Sequence, residues 1–220
     1  SLAYSYDLLN NSGNMVRFGL QGSMRNIGVD LTQANPVVGV TIDPSLQDKK
    51  VNDLNFNVGA GIYASFQDLF YVGVSLPQIL KNTYGLNQSY ETATEVQHIY
   101  GMAGAAIPIS ADLVLMPSIL TKYVKNVPFD ADLNLSLGIK ERVTAGVSYR
   151  LGGDGKGESV DLLMLVNLTP QLGIGAAYDF PLSQLKDHTS GSFEVSAFYD
   201  LRRRESNKGK VNLSNPRFFF

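Results

Sequence analysis

The chain has 220 residues, with 18 Lys and Arg against 20 Asp and Glu, no cysteine and no tryptophan. Zero cysteine removes disulfide frameworks, thiolate nucleophiles and zinc-thiolate sites, and a net charge of -2 supplies no global basic field for nucleic acid. Charged residues make up 17%, below the roughly 25% usual for soluble domains, and no apolar run approaches the roughly 18 residues of a membrane-crossing helix; a membrane barrel escapes that test because its strands alternate.

The opening Ser1-Leu2-Ala3-Tyr4-Ser5-Tyr6 has neither an initiator methionine nor the basic start and apolar core of a signal peptide. It reads as a mature or truncated chain that begins inside a strand, at 2–8. A second strand is expected over 15–31. In Leu54 to Ala64 one face carries Leu54, Phe56, Val58, Ala60, Ile62 and Ala64, and the other Asn55, Asn57, Gly59, Gly61 and Tyr63, the period-two signature of a two-faced strand. Strands near 69–76, 97–107 and 112–122 follow. From Phe129 to Lys140 the alternation sets Phe129, Ala131, Leu133, Leu135, Leu137 and Ile139 against Asp130, Asp132, Asn134, Ser136, Gly138 and Lys140. Strands over 143–151, 160–168 and 172–180 lead to Ser192–Asp200, where Phe193, Val195, Ala197 and Tyr199 oppose Glu194, Ser196, Phe198 and Asp200. That makes about eleven strands, with lengths close to the ~9–11 residues of a tilted membrane strand rather than the ~5–6 of soluble sheets.

The connections alternate between short (10–14, 65–68, 108–111, 140–142, 169–171) and longer (32–53, 77–96, 123–128, 152–159, 181–191). An antiparallel transmembrane β-barrel of the bacterial outer membrane has tight periplasmic turns and longer outer loops, whereas an Ig-like sandwich or jelly roll has no reason to keep this parity. With short turns in the periplasm, the segment from Leu201 onward is periplasmic too. Eleven is odd and bacterial barrels are even, so N-terminal strands are expected to be missing from this chain or supplied from elsewhere, with about fourteen in the full-length protein.

Chemistry-bearing residues are sparse. His98 shares a strand face with Tyr100 and Met102, and His188 sits in a polar loop; neither has a nucleophilic serine placed beside it as a triad requires. Gly152-Gly153-Asp154-Gly155-Lys156-Gly157 lacks the Ser/Thr after its lysine and precedes a strand, so it is a hairpin loop rather than a phosphate cradle. Inward faces gather Asp7, Asp130, Asp132, Asp161, Asp179, Glu194 and Asp200, with Arg17, Arg25, Lys122, Lys140 and Arg150 as counterweights, a lumen of hydrated ion pairs without the ligand spacing of a calcium loop. A tight turn at Lys140–Arg142 pairs Ile139 with Val143 and sets Asp132 across from Arg150, the predicted lumen ion pair. Beyond the barrel, taken as 1–204, the tail 205–220 follows a basic run, Arg202, Arg203 and Arg204, adds Lys208, Lys210 and Arg217, and ends in three phenylalanines.

Phe56-Asn57-Val58-Gly59-Ala60-Gly61-Ile62-Tyr63, Phe70-Tyr71-Val72-Gly73-Val74-Ser75-Leu76-Pro77, Gly191-Ser192-Phe193-Glu194-Val195 and the terminal Asn215-Pro216-Arg217-Phe218-Phe219, with the opening hexapeptide, resemble the PorP/SprF family of type IX secretion outer-membrane proteins. The resemblance runs over nearly the whole chain, which looks like the C-terminal two-thirds of a member. It implies a non-enzymatic, multi-pass outer-membrane protein of the secretion and gliding machinery, without catalytic residue, cofactor or metal. Implied partners are outer-membrane lipid, secreted adhesins or surface proteins with a type IX C-terminal domain, and periplasmic peptidoglycan-binding or ring components. Asn215, Pro216, Arg217, Phe218 and Phe219 are the candidate partner-binding residues. The alternative function is a passive diffusion channel, and a more distant one a lipid-modifying barrel enzyme.

Overall fold

A computed structural model describes residues 1–11, 13–30, 50–87, 90–140, 142–153, 155–187 and 189–201. The strands are β1 (Leu2–Asn11), β2 (Asn14–Asp30), β3 (Lys50–Phe66), β4 (Phe70–Leu76), β5 (Thr83–Asn87), β6 (Tyr90–Thr94), β7 (His98–Ala105), β8 (Ile107–Pro108), β9 (Leu113–Val124), β10 (Asp130–Ile139), β11 (Val143–Leu151), β12 (Gly157–Asn167), β13 (Leu172–Pro181) and β14 (Ser192–Tyr199). Twelve of them form one antiparallel sheet in the order β1-β2-β3-β4-β7-β9-β10-β11-β12-β13-β14, with β8 beside β9. All eleven predicted strands are present.

Alternation dictates the two faces, and burial shows which face meets which medium. On β3, Phe56 is 60% exposed while its neighbour Asn57 is 6% exposed; on β10, Leu135 is 47% exposed, and the buried set includes Ser65, Ser148 and Ser159. A soluble sheet buries its apolar face. This one buries its polar and small face and presents Phe18, Leu20, Phe56, Ile62, Phe70, Val72, Leu133, Leu135 and Val147 outward, as a strand wall facing hydrocarbon must.

The connections fall at two ends. One end carries the links from β1 to β2, β3 to β4, β8 to β9, β10 to β11 and β12 to β13; the other carries those from β2 to β3, β4 to β7, β9 to β10, β11 to β12 and β13 to β14. The short turns rely on left-handed backbone at Gly13, Gln67, Asp68 and Lys140, a conformation that turn residues supply. Two neighbouring short turns are stitched together: the Asp68 amide donates to the Gly13 carbonyl at 3.1 Å and the Gln67 amide to Asn14 Oδ1 at 3.1 Å. Pro117 lies mid-strand in β9, between Ser118, the last residue to pair with β7 (through Gly104), and Leu115, the first to pair with β8 (through Ile107). A residue without an N–H is tolerated at such a break in pairing.

The segment predicted as a single long loop after Pro77 contains more structure than its composition signals. Thr83–Asn87 and Tyr90–Thr94 pair as a separate two-stranded sheet, each strand, at five residues, too short to show a sustained alternation.

Candidate functional site

Three groups of side chains occupy the inner face. The first lies toward the short-turn end between β3, β4, β7 and β9. Tyr71, 3% exposed, and Ala106 are buried there, with Tyr63, Met102, Val114 and Met116 packed against them. The Tyr63 and Tyr71 rings stack with centroids 6.0 Å apart. Tyr71 lies across Gly104, whose hypothetical Cβ would meet the Tyr71 hydroxyl at 2.4 Å, so the glycine is what lets the ring lie flat along the wall. These side chains fill the interior beside four strands.

The second group pins the 77–97 segment at the opposite end. At Pro77 the chain turns to the inner side of β3, and the Pro77 carbonyl oxygen comes within 2.6 Å of where a Gly59 Cβ would stand. Asn57 then holds the segment in both directions: its Nδ2 donates to the Leu80 carbonyl at 2.9 Å and its Oδ1 accepts from the Leu80 amide at 3.0 Å. Glu95 returns to the same point, accepting from Asn57 Nδ2 at 3.0 Å, from Asn82 Nδ2 at 2.9 Å and from Arg25 on β2 at 3.1 Å. Hydrogen bonds to a carboxylate in a half-dry site are the stronger kind. The arrangement is a clasp that folds a long connection inward over the wall rather than letting it extend away. Nothing in the sequence marked Glu95; the Asn57 and Gly59 pair on the small face of β3 was the only available sign.

The third group is the ion-pair lattice. The β10–β11 ladder pairs Asp132 with Arg150 and Ile139 with Val143, and Arg150 Nε lies 2.9 Å from Asp132 Oδ1, with its NH2 group 3.8 Å from Asp161. Arg17 pairs with Asp7 at 2.5 Å and Lys122 with Asp130 at 4.0 Å. Asp132, Arg150, Asp161, Asp179 and Glu194 border a cavity of about 760 Å³ on the inner side of β9 to β14. Because the Asp132–Arg150 pair is partly solvated, its net worth is on the order of 1 kcal/mol or less. Asp132→Asn is therefore expected to leave insertion intact and shift the unfolding midpoint in denaturant only slightly; a variant that fails to fold would show the pair to be a structural necessity.

The chemistry candidates resolve simply. His98 Nδ1 lies 3.0 Å from the Val96 carbonyl oxygen and its ring stacks on Tyr100. Lys140 occupies the left-handed position of its turn. Residues 152–156 connect β11 to β12, which begins at Gly157. His188 and the tail residues Asn215, Pro216, Arg217, Phe218 and Phe219 lie outside the described residues. Among the described residues, no group of three or more His, Asp or Glu is arranged to hold a metal ion.

An open wall with an apolar outer face and a polar, ion-paired inner face is a membrane-protein architecture. The family model for the type IX secretion system membrane protein PorP/SprF matches residues 1–199. The chain belongs to the PorP/SprF family. A search of curated proteins finds no match. The match spans all eleven strands of the main sheet path, from β1 through β14, so the three inner-face groups are features of the PorP/SprF portion of this chain. The family is one of type IX secretion system membrane proteins.

Proposed function

We propose that this PorP/SprF chain is a non-enzymatic outer-membrane component of type IX secretion and gliding that anchors or assembles secreted surface proteins and connects them to periplasmic partners. The observation that carries this reading over a passive diffusion channel is the occupied interior: the Tyr63, Tyr71, Met102 and Met116 cluster at one end and the inward 77–97 segment at the other obstruct the inner side of β3, β4 and β7. A diffusion channel needs a continuous polar path instead. The cargo class is adhesins and other surface proteins bearing the type IX C-terminal domain, and the periplasmic partners are peptidoglycan-binding or ring components.

The tail is the proposed periplasmic contact. β14 ends at the short-turn end, so with short turns in the periplasm Arg202 to Phe220 emerge there. Arginine and aromatic side chains are the commonest interface anchors, which points to Asn215, Pro216, Arg217, Phe218 and Phe219. Deleting Asn215 to Phe220 is expected to leave an inserted barrel while reducing co-purification of periplasmic components and display of the anchored surface protein. Wild-type recovery of the same partners, or a tail accessible from outside intact cells, would overturn the assignment.

A further inference from the structure

The two halves of the inner face differ in what covers them. Over β3, β4 and β7 the interior is filled by the Tyr71 cluster and by the 77–97 segment. The cavity of about 760 Å³ on the other side is lined by β9 to β14 alone. Its floor carries short side chains, among them Ser136, Ser148, Ala177 and Ser196, so an extended chain can lie along it. Its charge is one-sided. Arg150 bonds Asp132 and reaches Asp161, and among the described residues no salt bridge reaches Asp179 or Glu194. Asp179 stands directly across the β12–β13 ladder from Asp161, and like charges placed opposite one another destabilise a sheet. A cationic segment on this face relieves that repulsion.

The chain itself contains such a segment. Residues 202–210 carry Arg202, Arg203, Arg204, Lys208 and Lys210 against a single acid, Glu205. They begin at the rim of this face, because the Asp200 amide donates to the Gln171 carbonyl in the β12–β13 turn at 2.8 Å. From Leu172, opposite Tyr199, to Asp179, opposite Ser192, the wall rises about 24 Å at ~3.4 Å per residue. The extended chain from Asp200 to Lys208 covers about 27 Å.

We propose that residues 202–210 turn back from the short-turn end and lie along the inner face of β10 to β14, with Lys208 and Lys210 against Asp161, Asp179 and Glu194. Arg202 to Arg204 stay near the mouth through which the segment enters. The segment stoppers the half of the interior that the 77–97 segment leaves free. From Lys210 to Asn215 the chain reaches about 17 Å back toward the mouth, which keeps the contact proposed for Asn215 to Phe219 accessible from the periplasm.

The test uses the full-length protein purified from its own outer membrane. A water-soluble carbodiimide joins an amine to a carboxylate where the two touch, and peptide mass spectrometry identifies the products. Cross-links within one chain from Lys208 or Lys210 to Asp161, Asp179 or Glu194 are expected. No cross-link to these carboxylates, or cross-links from them to a co-purifying protein instead, overturns the proposal. In planar bilayers the double variant Lys208→Glu, Lys210→Glu should conduct severalfold more than the parent, and adding Asp179→Lys and Glu194→Lys should lower the conductance again. Equal conductance in the parent and the double variant also overturns it. Neither readout involves Asn215 to Phe219, so failure here is distinct from failure of the periplasmic contact, which is read by partner recovery.

Discussion

Leu135→Arg is expected to abolish membrane insertion, whereas Ser136→Arg in the next position leaves an inserted, folded wall. The two residues occupy the middle of β10 and point to opposite sides. Leu135 lies on the outer face between Pro117 and Val147 on the flanking strands, and a guanidinium there sits at mid-depth in lipid at a cost of about 2–4 kcal/mol. Ser136 borders the inner cavity, where an arginine finds water and the carboxylates of Asp132, Asp161 and Glu194 within the same enclosure. The measurement is the heat-modifiable electrophoretic shift of membrane fractions carrying each variant. Equal behaviour of the two would refute the inside/outside assignment, and the reverse order would mean that the faces are swapped.

Gly59→Leu is expected to release the 77–97 segment from the inner face. Any Cβ at this position collides with the Pro77 backbone, at 2.6 Å from its oxygen and 2.9 Å from its Cα, and backbone atoms cannot rotate aside as a side-chain tip can. Relieving the overlap means breaking the Asn57–Leu80 and Glu95 contacts that follow Pro77. Overpacking of this kind costs about 1–3 kcal/mol, borne here by the clasp rather than by the ladder, since Gly59 keeps its pairing with Gln21 on β2. Protease added to intact cells should then cut within 77–97 in the variant and spare the parent. A segment equally protected in both would show that it is held by something other than the clasp.

The sequence makes the wall legible because period-two alternation is a property of consecutive residues. Phe129 to Lys140 reveals both its conformation and its faces without reference to any other strand, and the tight turn at Lys140–Arg142 adds the register that pairs Asp132 with Arg150. The clasp depends on residues far apart: Asn57, Asn82 and Glu95 meet only because Pro77 turns inward, and no spacing along the chain encodes that. The β5–β6 hairpin escaped notice for a different reason. Its strands are five residues each and the register shifts within their ladder, so no sustained alternation like that of β3 or β10 forms, and the segment reads as loop. Pro117 shows the opposite case, a residue that argues locally against a paired strand and is accommodated by a break between β7 and β8 that lies elsewhere in the chain.

The order of the strands along the sheet also bears on how the protein is made. Each ladder of the main path joins strands that are consecutive in the chain, apart from the step from β4 to β7, which passes over only the side hairpin, and the step from β7 to β9, which passes over the short β8. Low sequence separation between partners shortens the search for the folded state. The wall can therefore grow by adding one hairpin at a time to a moving edge, each new strand using its predecessor as a template. Such an edge stays available for pairing until the last strand arrives, and unpaired edges are what make folding intermediates prone to aggregate.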